Sequence, residues 1–223
     1  MPKVDEYYFT KKANDIIDGA IRVCKVKPVH GVTLRDVVKE CKISQGGIYS
    51  YFTDIDEIFA EILNRCLTEH KVDESVHLLF EKSGEPKEVI TRAFMGMGET
   101  IDDVALHYGS IIYEINTLYL SDQQRVQKIH SKIKVANDYM VVFEKICAYV
   151  RSLIGAGKIN PLIPSERLRV FMATSMQGIV QTVTFAKKSA ELEQQMGLKK
   201  PEHRAAVGMM EVLAHAVIEL LGL

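Results

Sequence analysis

No run of about eighteen or more apolar residues occurs in this 223-residue chain, so no membrane-spanning helix is expected. The opening MPKVDEYYFTKKAND holds no apolar signal core, and a cytoplasmic location is the expectation. Cysteine is scarce: Cys24, Cys41, Cys66 and Cys147 lie far apart and form no CxxC pair. Buried reduced thiols are the simpler reading of such spacing, since a redox or zinc role has no metal-like pattern behind it. Positive charge is also missing as a bulk property, with a net charge of −1 and a pI near 6.7. Residues 1–56 carry nine Lys and Arg against eight Asp and Glu. Any contact with nucleic acid must therefore come from a local arrangement of charges and not from a global field. Strand alternation, internal repeats and low-complexity tracts are absent as well.

What is present is helical periodicity almost throughout, on a composition of 47% hydrophobic and 26% charged residues that suits a globular protein with a core. Ala13, Ile16, Ile17, Ala20, Ile21 and Cys24 form one stripe of a first amphipathic helix over 10–26, which Pro28 ends. Thr53 and Asp54 can cap a long helix with Ile55, Ile58, Phe59, Ile62, Leu63, Cys66 and Leu67 inward, running on to about Phe80. Ser83-Gly84-Glu85-Pro86 is a clear break. Helices are then expected at 86–106, 109–120, 122–154 and 165–190, with the loop Gly155–Pro164 between the last two. A second break at Met196–Pro201 precedes a terminal helix to about Leu221. The expected architecture is all-α with about nine helices. A three-helix N-terminal domain over 1–53 would join a larger helical domain over 54–223.

Thr33–Phe52, TLRDVVKECKISQGGIYSYF, is the most informative stretch. Leu34, Val37 and Val38 follow Thr33 at helical spacing, with Thr33 as N-cap. Cys41-Lys42-Ile43 makes a turn, with Ile43 placed to fill the crease. Ser44 caps a second helix that opens Gln45-Gly46-Gly47. Two glycines there cost roughly 0.5–1 kcal/mol each against alanine, so something should compensate. Close approach of another surface to the bare backbone is one candidate. Ile48 and Phe52 point inward, while Tyr49 and Tyr51 point elsewhere. The pattern is a helix-turn-helix whose second helix suits a phosphate or a base edge.

IIDGAIRVC (16–24), GVTLRDVVKECKIS (31–44) and QGGIYSYFTDIDEIF (45–59) together closely resemble the TetR family of bacterial transcriptional regulators. The apolar first helix, the capping Thr, an S-x-G-x-[IL]-Y-x-[YH]-F pattern and an acidic run opening helix four stand in the family's order and spacing. The second half is similar only in its plan of helices. The resemblance implies a homodimer with two heads that read double-stranded DNA and a body that dimerises and binds a ligand. It implies sequence-specific regulation of transcription, as a repressor released from an inverted-repeat operator when a small molecule favours another spacing of the heads. Three positions depart from the family: Lys42 and Pro28 stand where glycines are usual, and Ile55 replaces a phosphate-contacting lysine of helix four.

The expected DNA contacts are Thr33, Arg35, Lys42, Ser44, Gln45, Gly46, Gly47, Tyr49 and Tyr51. Thr33 and Ser44 are caps first; the resemblance adds a phosphate to each. Gln45 can pair with adenine in the major groove, or remain solvated. Gly46 and Gly47 let the helix sit close to a groove, or close to another helix. Tyr49 resembles the family's phosphate-binding tyrosine, and Tyr51 is a second phosphate or sugar contact unless it packs. Lys11 and Lys12 are further candidates for the DNA backbone.

For the dimer interface the expected residues are Phe171, Ser175, Gly178, Ala205, Gly208, Met209, Val212, Ala216 and Leu220, on two helices whose small residues permit close approach. Burial within the monomer is the other reading of that stripe. For a pocket they are Phe94, Met97, Tyr113, Asn116, Tyr139, Phe143, Met176 and Gln177, taking an apolar or amphipathic ligand whose identity the sequence does not give. For any single one of these, core packing is the favoured reading. No catalytic residue, cofactor or metal is expected. His107, His130, His203 and His215 fall on different segments, without HExxH, so an enzyme is the weaker rival. A DNA-binding protein whose body only dimerises is a third reading.

Overall fold

The computed structural model describes residues 6–81, 84–118, 122–186 and 205–223, and every regular element among them is helical. Ser83, the break at Met196–Pro201 and His203 lie outside the described residues. Among the described residues there are eleven α-helices: α1 Glu6–Val26, α2 Leu34–Cys41, α3 Gln45–Tyr49, α4 Ile55–Glu69, α5 Glu74–Leu78, α6 Pro86–Tyr108, α7 Ile111–Thr117, α8 Gln123–His130, α9 Asp138–Gly155, α10 Ser165–Thr184 and α11 Ala206–Leu220. A 3-10 turn, Val29–Gly31, links α1 to α2. Among the described residues no helix is long and apolar enough to cross a membrane.

The count exceeds nine because two expected long helices each break once. The first stops at Glu69: Asp73 caps α5 by accepting the Ser75 N–H, and the Val72 N–H turns aside to the Asp138 carboxylate, 2.9 Å away. The helix expected over 122–154 is α8 and α9. Between them the Lys134 N–H goes to the buried Asn64 amide oxygen at 2.8 Å, and Asn137 caps α9 by accepting the Met140 N–H. Side chains thus take the backbone donors that a continuous helix would have used.

The chain packs as two compact units, residues 1–69 with 108–135, and residues 70–107 with 136–223. Compactness therefore divides the chain elsewhere than at 53/54, keeping α4, α7 and α8 with α1–α3. In the first unit Ile16, Ile17, Ala20, Val37, Ile48, Phe52, Ile58, Phe59 and Ile62 are buried, which includes both residues of α3 and its exit that the sequence pointed inward. In the second, one continuous apolar core runs through α6, α9, α10 and α11 and includes Phe94, Met97, Phe143, Met176 and Leu213.

A ladder of charge joins α4 to residues 125–134. Asp54 meets Lys128 at 2.5 Å, Asp56 meets Arg125 at 2.6 Å, Glu57 meets Lys132 at 2.5 Å and Glu61 meets Lys134 at 2.9 Å. The Lys132 hydrogen bond and the Thr53 N–H hold the Glu57 carboxyl below its usual range. Burial raises Asp54, but the Lys128 hydrogen bond and the Glu57 N–H outweigh it and leave this carboxyl low too. Asp56 is only 8% exposed, and Arg125 also lies over the Phe59 ring. Replacing Arg125 with Ala leaves the buried Asp56 carboxylate with Lys128 alone, 3.5 Å from its other oxygen, and the expected loss of stability is about 2 kcal/mol. Denaturant unfolding should show it, with less loss in an Arg125→Ala/Asp56→Asn double variant than in Arg125→Ala alone.

Candidate nucleic-acid interface

Thr33 and Asp36 build the start of α2 as a reciprocal cap. The Asp36 N–H reaches the Thr33 hydroxyl, while the Thr33 N–H and hydroxyl both donate to the Asp36 carboxylate, at 2.8 and 2.7 Å. The Lys27 ammonium, 2.7 Å from Asp36, and the Thr33 hydroxyl pull this carboxyl down to about 2. Capping is therefore what Thr33 does here. A phosphate meeting it would compete with Asp36 for both donors.

At the other end of α2, Lys42 adopts the left-handed conformation, φ 52° and ψ 39°, the only non-glycine residue with positive φ among those described. A side chain there costs roughly 1–2 kcal/mol, which the turn bonds Lys42 N–H to Lys39 and Ile43 N–H to Val38 help offset. The ammonium is thereby held out from the turn on an exposed residue. Close packing of α1 on α2 constrains the same corner: a Cβ built at Gly19 would fall 2.2 Å from the Cys41 sulfur.

Ser44 begins α3 by accepting the Gly47 N–H at 3.0 Å, and a hydroxyl that accepts keeps its own proton to donate. The helix is short, and Gln45 and Gly46 are exposed along it. The two glycines differ. A Cβ at Gly47 would press on the Ser44 hydroxyl at 3.0 Å, whereas one at Gly46 meets nothing within 4 Å. Packing within this chain explains Gly47 and leaves Gly46 without an internal reason. Tyr49 is 52% exposed, while Tyr51 stacks on Phe9 with ring centroids 4.5 Å apart. Arg35 and Lys11 are exposed; Lys12 pairs with Asp15 at 3.8 Å. Of the nine residues expected to touch DNA, Thr33, Arg35, Lys42, Ser44, Gln45, Gly46 and Tyr49 are thus exposed, and Gly47 and Tyr51 are partly so.

Residues far along the chain support the head, and sequence spacing gives no sign of them. Glu114 of α7 accepts the Val29 N–H at 2.9 Å and the Ser110 hydroxyl at 2.6 Å, which fixes the 3-10 turn leading into α2. Burial, with the Glu114 charge nearby, pushes the Cys24 thiol up to about 12. All four cysteines are free, and Cys24, Cys66 and Cys147 are buried. At α4, where Ile55 replaces a lysine, three of the first carboxylates are already matched by Arg125, Lys128 and Lys132. A cleft of about 530 Å³ opens beside Ser44, Gly47 and Tyr51, and Lys12, Arg22, Asp15, Asp18 and Glu40 give it walls of both signs.

Residues 16–62 match the family model described as bacterial regulatory proteins, tetR family. Over this head the chain is similar to the TetR family. It is 26% identical over 187 residues to the uncharacterised HTH-type transcriptional regulator YfiR of Bacillus subtilis (strain 168), covering 82% of this chain and 85% of that one. The fold is also that of MexZ, a key repressor responsible for antibiotic resistance in Pseudomonas aeruginosa. The TM-score there is 0.60 at 17% identity, over 95% of each chain. Thermus thermophilus FadR, a TetR-family transcriptional repressor crystallised with lauroyl-CoA, superposes with a TM-score of 0.51 at 13% identity, over 93% of each.

The expected interface and pocket residues are placed as follows. Phe171, Gly178, Ala205, Gly208 and Val212 are exposed, and Ser175, Met209, Ala216 and Leu220 are partly so. The opposite stripe of α10 and α11, with Met172, Met176, Met210, Leu213 and Val217, takes the monomer's core contacts. Phe94, Met97, Phe143 and Met176 lie together in the second unit's core with Tyr139 against it, while Gln177 is exposed. Tyr113 and Asn116 belong to the first unit, where the Asn116 amide donates to the Ile112 carbonyl at 3.0 Å.

Replacing Gly46 with Ala separates fold from function. The free protein should gain about 0.5–1 kcal/mol from helix propensity, because the added methyl meets nothing. Binding to operator DNA should weaken roughly tenfold, equal to about 1.4 kcal/mol, if the groove approaches this backbone. Thermal melting and fluorescence anisotropy on the same sample check both signs.

Proposed function

We propose that this chain is a transcriptional regulator of the TetR family, a cytoplasmic, homodimeric repressor. It binds an inverted-repeat operator through two heads formed by residues 1–53, and a small apolar or amphipathic ligand held in the body, residues 54–223, releases it. The observation that carries the DNA reading is the exposed surface of Ser44, Gln45, Gly46 and Tyr49. The fold builds it at some cost and leaves Gly46 without an internal reason. Gln45 is placed to read a base edge. Tyr49, Lys42, Arg35 and the Ser44 hydroxyl are placed for phosphates, which would give affinity and salt dependence without sequence information.

Dimerisation is supported by the exposed stripe of α10 and α11. Val170, Phe171 and Val212 are 61%, 38% and 68% exposed there, between glycines that leave open space at 178 and 208. Four such helices from two copies would bury this apolar surface.

A ligand is supported by one buried group. The Tyr139 hydroxyl is inaccessible and has no hydrogen-bond partner among the described residues, and burial pushes this phenol well above its usual range. An unsatisfied buried hydroxyl costs about 1–3 kcal/mol, which a polar atom of a ligand could relieve. The FadR fold in complex with lauroyl-CoA makes acyl thioesters the first compounds to try. A body that only dimerises is the second reading, favoured by the small size of the two cavities described in the second unit, about 260 and 120 Å³.

Anisotropy of a labelled fragment from upstream of the protein's own gene, with excess unrelated DNA, tests the proposal. Binding should be specific and fall steeply with salt. Gln45→Ala should weaken it by roughly 1–3 kcal/mol and relax specificity, whereas Tyr49→Phe should weaken it on every sequence. Tight binding untouched by either change would remove this contact set. Separately, Tyr139→Phe should raise the free protein's stability by about 1 kcal/mol and blunt release of DNA by an acyl thioester that releases the unmodified protein. A lower melting temperature would mean the hydroxyl already has a partner.

A further inference from the structure

We propose that His70, Asp103 and His107 form a site for a divalent transition-metal ion of the zinc class. His70 follows directly on the last residue of α4, and Asp103 and His107 stand one turn apart on α6. One nitrogen from each ring and one oxygen of Asp103 lie within 4.8 Å of one another. Asp103 stands between the two rings: one carboxylate oxygen contacts His70 Nδ1, and the other lies 3.2 Å from His107 Nδ1. The imidazoles face each other with centroids 4.9 Å apart and a tilt of 43°.

Donors about 2.0–2.1 Å from a tetrahedral zinc are roughly 3.3 Å from each other, so small side-chain rotations bring these three onto one ion. The exposures suit this. The His70 side chain is 8% exposed and held by its surroundings, while Asp103 and His107 are 48% and 54% exposed and free to adjust. Their open side leaves the fourth position to water or to a ligand atom. His107 Nδ1 also lies 2.9 Å from the Asp103 carbonyl, the kind of backbone acceptor that fixes an imidazole's tautomer when Nε2 is the ligating atom. Two imidazoles and one carboxylate select zinc, nickel or cobalt over magnesium and calcium, which require oxygen donors. A bound ion would fasten the chain just past α4 to the last turns of α6. The inference is independent of the DNA and ligand readings.

Tag-free full-length protein, stripped with a chelator, would be titrated with zinc in competition with a chromophoric chelator, beside Asp103→Asn and His107→Gln. One zinc per chain is expected, weakened at least 100-fold in each variant, with a zinc-dependent rise in melting temperature in the unmodified protein alone. Cobalt should give the visible absorption of a low-coordinate imidazole site, and magnesium should give no effect. His107 is half exposed, so its variant should keep the melting temperature of the zinc-free parent and report ligation apart from folding. Stoichiometry well below one, equal affinity in the variants, or a response to magnesium equal to that to zinc would each overturn the site.

Discussion

Asp56 sits almost out of reach of water at the start of α4, and its charge is tolerable there because Arg125 lies 2.6 Å away with its guanidinium over Phe59. Removing Arg125 would leave Asp56 only the longer pair with Lys128, at 3.5 Å, in a poorly solvated place, so the pair works as a constraint more than as a source of net stability. With Asp54, Glu57 and Glu61 matched to Lys128, Lys132 and Lys134, it ties α4 to a segment some seventy residues later and makes both part of the unit that carries the helix-turn-helix. An acidic helix start beside a DNA-reading head would repel phosphate; this ladder neutralises it locally.

The head combines costs and compensations in a small space. Lys42 accepts a left-handed backbone, and α3 accepts two glycines in its first turn. Caps at Thr33 and Ser44, the close α1–α2 contact at Gly19 and the reach of Glu114 to the Val29 N–H hold the turn in place. Binding energy for DNA is better used by a surface already shaped for it, since ordering on contact would be subtracted from affinity.

In the body, α10 and α11 carry two faces, one exposed and one in the core. Small residues at 178, 205 and 208 face outward with Phe171 and Val212, and larger ones turn to the core. Of the residues read as a pocket, Phe94, Met97, Phe143 and Met176 lie in the second unit's core with Tyr139 against it, and the Tyr139 hydroxyl has no hydrogen-bond partner among the described residues.

Local chemistry decided much of this protein by sequence alone. Caps, the 3.6-residue period and the glycines of α3 act within one or two turns of backbone, so the all-α class, the helix-turn-helix and its exposed residues were legible in order and spacing. Helix lengths were not. The chain is periodic through Glu69–Leu78 and 123–155, and only side chains distant in sequence, Asp138 and Asn64, capture the N–H groups that interrupt it. The ion-pair ladder and the approach of His70 to Asp103 and His107 were equally hidden, for the same reason. Charge pairs and ligand sets depend on which surfaces meet, and that is settled when the helices pack, not by their spacing along the chain.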